Sequence, residues 1–83
     1  MADVSVDARG LLCPLPLLKA RKALSEVEIG QVVEVLATDA GSLRDFSTFC
    51  DLSGNRLLLA DAADGEYRYL IEKAPRKIRR ADA

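Results

Sequence analysis

The stretch of this chain whose residue types and spacing point most directly to chemistry is Leu11-Leu12-Cys13-Pro14-Leu15-Pro16. Proline is tolerated in the first turn of a helix, because the N–H it lacks would find no intrahelical partner there. Pro14 and Pro16, followed by the proline-free run Leu17 to Leu24, therefore predict a helix start with the Cys13 sulfur at its N-terminus. At such a terminus the positive end of the dipole favours thiolate over thiol, with the N–H groups of Leu15 and Leu17 as candidate donors. The chemistry expected is that of a reactive, nucleophilic thiol. The competing reading is a small buried hydrophobe, since free cysteine is often interior.

The rest of the composition narrows what kind of thiol this is. The chain has no histidine and two cysteines, Cys13 and Cys50. A Cys–His nucleophile pair is thereby excluded, and two lone cysteines make a poor zinc site. There is no Cys-x-x-Cys couple, no Gly-rich phosphate loop and no dinucleotide fingerprint, so neither metal nor cofactor is expected. Cys50 falls on an apolar helical stripe and reads as a packed, inert thiol. A Cys13–Cys50 bridge, structural or redox-sensing, is a weaker reading: nothing at the N-terminus resembles an export signal, and reducing compartments disfavour disulfides.

Around Cys13 the chain must supply elements that hold it. Its 83 residues suffice for one core, so residues 1–74 are expected to form a single domain and 75–83 a basic, flexible tail. Val4 and Val6 alternate with polar neighbours, predicting a short first strand, and Gly10 suits the turn that follows. A helix is expected from Pro14 to Glu26, with Leu17, Ala20, Leu24 and Val27 at helical spacing. Val32 to Ala37 reads as a β-branched strand after Gly30. A second helix is expected from Leu43 to Leu52, capped by Ser42, burying Leu43, Phe46, Phe49 and Cys50 and ending at Gly54. Arg56 to Ala60 begins a third strand, Asp64-Gly65 is a hairpin turn, and Glu66 to Glu72 is the fourth strand. Tyr67 and Tyr69 share a face of that strand and read as cross-strand packing. The order β-α-β-α-β-β predicts an α+β fold: a two-layer α/β sandwich whose four-stranded mixed sheet is covered on one face by two helices.

The formal net charge of −1 hides an asymmetry. Residues 1–72 carry seven Lys/Arg and twelve Asp/Glu, whereas residues 73–83 carry five basic residues against Asp82 alone. A basic tail of this kind could bind RNA or an acidic partner, but a solvated terminus is the simpler reading. No run reaches the roughly eighteen apolar residues that a membrane span needs; with two cysteines and no resemblance to an export signal, the cytoplasm is the expected compartment.

The segment Asp7-Ala8-Arg9-Gly10-Leu11-Leu12-Cys13-Pro14-Leu15-Pro16, with Lys22 further along, resembles the signature of the TusA/SirA/YedF family of small sulfur carriers. Gly30, Thr38-Asp39, Asp45, Phe49-Cys50, Gly54 and the strand Tyr67 to Lys73 match as well, so the resemblance covers nearly the whole chain up to Lys73. It implies the same β-α-β-α-β-β sandwich, and a sulfurtransferase in which Cys13 carries sulfane sulfur as a persulfide. Gly10, Pro14 and Pro16 would support that motif, with Arg9, Lys19, Lys22 and Asp45 as candidate electrostatic or docking residues. The implied partners are proteins: a cysteine desulfurase or rhodanese-like donor, and a DsrE-like or other acceptor. The implied destinations are tRNA thiolation, molybdenum-cofactor biosynthesis or sulfur oxidation. Such a carrier works as a monomer without binding nucleic acid or membrane. The alternative is a non-catalytic regulatory or RNA/protein-binding module that uses the sheet or the basic tail.

Overall fold

The computed structural model describes residues 2–75 and gives the order β1 (Val4–Ala8), α1 (Leu15–Ser25), β2 (Val32–Ala37), α2 (Ser42–Ser53), β3 (Arg56–Ala63) and β4 (Glu66–Glu72). The strands form one mixed sheet in the order β1-β2-β4-β3. β1 runs parallel to β2, and β4 runs antiparallel to both β2 and β3. A parallel pair needs a crossover connection, which α1 supplies. Of the expected basic tail, residues 75–83, all but Pro75 lie outside the described residues.

Period-two alternation decides which side of the sheet is covered. Val33, Val35 and Ala37 of β2 and Tyr69 and Ile71 of β4 are fully buried beneath the helices. The intervening Glu34 and Arg68 lie on the open face, where they pair with each other while Ser5 donates a hydrogen bond to Glu34. From above, α1 contributes Pro16, Ala20 and Leu24, and α2 contributes Ser42, Phe46 and Cys50. Phe46 stacks on Tyr69 with ring centroids 4.5 Å apart, joining α2 to the centre of the sheet. Of the expected stripe, Leu17, Ala20 and Leu24 lie on α1, Leu17 at its margin, while Val27 packs against the core from beyond the helix, which ends at Ser25 rather than Glu26.

The second helix differs at its start. Gly41, not Ser42, is the N-cap; Ser42 is the first helical residue, and its hydroxyl lies buried in a 2.6 Å hydrogen bond with the Tyr69 hydroxyl. The capping function falls to Asp39, whose carboxylate accepts the Gly41 N–H and whose carbonyl accepts the Ser42 N–H. Because Ser42, Phe46 and Cys50 form the i, i+4, i+8 row facing the sheet, Leu43 is turned outward and is 47% exposed.

β3 runs on to Ala63 before the Asp64-Gly65 turn, whose two residues both have positive φ, as a two-residue hairpin of this kind requires. An irregularity between Leu57 and Leu59 lets three successive leucines share an edge strand. Leu57 pairs with Ile71 on the helix side and Leu59 with Leu70 on the other, leaving Leu58 outward.

Candidate functional site

The parallel pairing of β1 and β2 sets the site. Their register is aligned from Val4 opposite Val33 to Ala8 opposite Ala37, so both strands end together and the loops into α1 and α2 leave from one end of the sheet. The loops are tied to each other, because the Gly10 N–H donates to Thr38 Oγ1 at 2.8 Å. Gly10 has φ +83, a conformation that costs glycine little and other residues more. Asp7 holds the same loop: its carboxylate accepts the Arg9 backbone N–H and two guanidinium hydrogen bonds. Those contacts hold the Asp7 carboxyl down at about 2.

Cys13 stands on this loop, exposed, across a cis peptide bond from Pro14. α1 begins at Leu15 with Pro14 as its N-cap, so Cys13 precedes the helix rather than opening it. The Leu15 N–H, a donor expected to face the sulfur, is taken by the Leu12 carbonyl at 2.8 Å. The sulfur instead faces the first turn of α2. Its thiol donates a hydrogen bond to Asp45 Oδ2, and a Cβ on Gly41 would lie 3.8 Å from the Cys13 Cβ.

These contacts reverse the expected electrostatics. The hydrogen bond to Asp45 and partial desolvation push the Cys13 thiol above its ordinary pKa, and the charges of Asp45 and Asp39 add to this while Arg44 opposes it. At rest Cys13 is a thiol held by a carboxylate, not a thiolate held by a helix dipole. The basic residues expected to raise the potential at Cys13 are engaged elsewhere. Arg9 pairs with Asp7 and Glu66, and Lys22 with Glu26 one turn on. Lys19 acts on Asp7. Of the four candidate electrostatic residues, Asp45 alone meets the sulfur. Arg44 and Asp39 were missed, since only the fold brings α2 against the Cys13 loop.

Leu12 and Leu15, on either side of Cys13-Pro14, and Leu43 in the first turn of α2 are between 46% and 69% exposed. Beside Asp45 a groove of about 600 Å³ runs between the helices, lined by Leu17, Arg44, Thr48, Phe49 and Leu52 among others. Cys50 has the opposite setting. It is 6% exposed in the core, and burial raises its thiol to about 11. Both cysteines are free. Among the described residues no helix is long and apolar enough to cross a membrane.

A two-layer sandwich carrying one exposed cysteine on its first strand-to-helix loop defines a small thiol-presenting protein. The family model described as Sulfurtransferase TusA matches residues 4–73, and the chain belongs to this family of sulfur carriers. It is 44% identical over 72 residues to the sulfur carrier protein TusA of Allochromatium vinosum, an alignment covering 87% of this chain and 95% of that protein. The crystal structure of a SirA-like protein from Desulfitobacterium hafniense has the same fold, with a TM-score of 0.75 and 29% identity over 87% of this chain and 99% of that one.

Proposed function

We propose that this protein accepts sulfane sulfur on Cys13 as a persulfide and relays it to an acceptor protein. The observation that carries the reading is the position of Cys13: free, exposed and on a loop whose neighbours Leu12 and Leu15 are exposed too, in a chain of the sulfur-carrier family. A protein-bound persulfide can be reached only by a sulfur that stands clear of its own surface. Exposed leucines around such a sulfur suit contact with a protein partner.

In loading, the Cys13 sulfur attacks the outer sulfur of a donor R–S–SH. The new Cys13 S–S bond forms as the donor S–S bond breaks, and the R–S⁻ leaving group takes up the proton that Cys13 gives up. In unloading, an acceptor thiolate attacks the outer sulfur of Cys13–S–SH, and Cys13 departs as the leaving group and is reprotonated. The transferred sulfur keeps its oxidation level, so no external oxidant or reductant is consumed. A cysteine desulfurase or rhodanese-like protein would serve as donor and a DsrE-like protein as one acceptor, in the reducing cytoplasm where Cys13 stays free.

Incubation with a cysteine desulfurase and free cysteine is expected to add one sulfur atom to the intact mass. Subsequent addition of an acceptor thiol is expected to remove it, regenerating protein that can be loaded again. A chain that gains no sulfur, or gains sulfur that no thiol removes, would contradict the relay.

A further inference from the structure

We propose that Asp45 is the positioning residue of the carrier: its carboxylate holds the unloaded Cys13 sulfur as a protonated thiol and repels the same residue once it is an anionic persulfide. The inference rests on Cys13 being the sulfur-bearing residue.

Geometry supports it from three sides. The Cys13 thiol points at Asp45 Oδ2 rather than at solvent, although the residue is exposed. Asp45 is fixed in the first turn of α2, where its own N–H bonds to the Gly41 carbonyl at 3.2 Å. A negative charge at this position is favourable to the helix. That turn is anchored below by the buried Ser42–Tyr69 hydrogen bond and the Phe46–Tyr69 stack, so α2 cannot swing away without opening the core. The charged groups facing Cys13 are Asp45 and Arg44 from α2 and Asp39 from the loop before it. Among the described residues, two carboxylates thus oppose one guanidinium, and Asp45 is the one that touches the sulfur.

One charge then has opposite effects on the two states of the carrier. The unloaded thiol has a proton to donate, and the contact stabilises it. A persulfide is more acidic than a thiol, so the loaded sulfur is anionic at neutral pH and has no proton to give. Like charges at contact distance repel, and the outer sulfur is driven away from α2 towards solvent, where an acceptor approaches. When the acceptor thiol R′–SH takes that sulfur, it leaves as the anionic persulfide R′–S–S⁻, the acceptor's proton passes to the departing Cys13 sulfur, and the contact with Asp45 re-forms. The carboxylate thereby favours handover at the end of each cycle and protects the empty carrier from stray oxidation, which requires thiolate.

The test is the pH profile of iodoacetamide alkylation at Cys13, read by mass on the peptide containing it, for wild type, Asp45→Asn and Asp45→Glu. The midpoint of the profile is independent of how nucleophilicity changes with basicity. Asp45→Asn is expected to move the midpoint to lower pH and make alkylation at neutral pH several-fold faster. Asp45→Glu, which keeps the charge, is expected to stay above it. The same profile on the loaded protein is expected to shift downward with Asp45→Asn as well. Should Asp45→Asn fail to fold by circular dichroism, Asp45→Ser serves as the neutral variant. Unchanged midpoints in the neutral variant, or a midpoint in Asp45→Glu as low as in Asp45→Asn, would overturn the proposal. The profile of the unloaded protein needs no sulfur donor, so this failure is distinguishable from a failure of Cys13 to load.

Discussion

Cys13→Ser is expected to reduce sulfur loading to background while leaving the protein folded. A serine oxygen is isosteric enough to keep the loop and the contact with Asp45, but it forms no persulfide. Because the Cys13 side chain is exposed and fills no part of the core, its replacement should change stability by no more than about 0.5 kcal/mol. Cys50→Ala is expected to do the reverse. Loading should persist, because that thiol lies in the core and burial holds it protonated to about 11. Stability should fall by about 1 kcal/mol for the small void left in a close-packed interior. Intact-mass measurement after incubation with a sulfane-sulfur donor, paired with chemical denaturation, reads both effects. Loading that survives Cys13→Ser and disappears with Cys50→Ala would exchange the roles assigned to the two residues.

Phe46→Ala is expected to be the most damaging core substitution. Phe46 is fully buried and stacked on Tyr69, the largest of the fully buried side chains, so its removal empties the space where α2 meets the sheet. Truncations of this kind cost about 3–5 kcal/mol. A small domain has on the order of 5–15 kcal/mol in total. A thermal melt should therefore fall by roughly 15 °C or more. The damage reaches the site, because the same helix turn carries Ser42 and Asp45. A melt lowered by only a few degrees would show that α2 is held chiefly by something other than this stack.

Much of the fold was legible because its signals are local. Leu17, Ala20 and Leu24 mark the buried side of α1 by spacing alone, and Val33 and Val35 mark the covered face of β2 in the same way. Asp64-Gly65 announced its turn through backbone conformations that few other residue pairs adopt cheaply. Cys13 was legible as the residue of interest because the motif around it is compact in sequence. Its electrostatics were not. The sulfur and Asp45 are 32 residues apart, and they meet because two parallel strands that end in register deliver their loops to one end of the sheet. Prolines beside Cys13 suggested a helix dipole, whereas a one-residue difference in where α1 begins took the sulfur off that terminus and turned it to α2. Ser42 was misassigned for a similar reason. Its type suits a cap, but a partner from β4, Tyr69, draws its hydroxyl into the core and leaves capping to Asp39.

Cys13 began as a thiol that its neighbours seemed to activate. It is better described as a thiol that donates to Asp45, on a tip built by two parallel strands and the first turn of α2. The central claim is that sulfur resides on this residue, and the most direct measurement is to locate it in the unaltered protein. After loading, alkylation and trypsin digestion, Cys13 lies in the peptide of residues 10–19 and Cys50 in that of residues 45–56. The account predicts an additional sulfur atom on the alkylated peptide 10–19 and none on 45–56. An additional sulfur on peptide 45–56, or on neither, would contradict it.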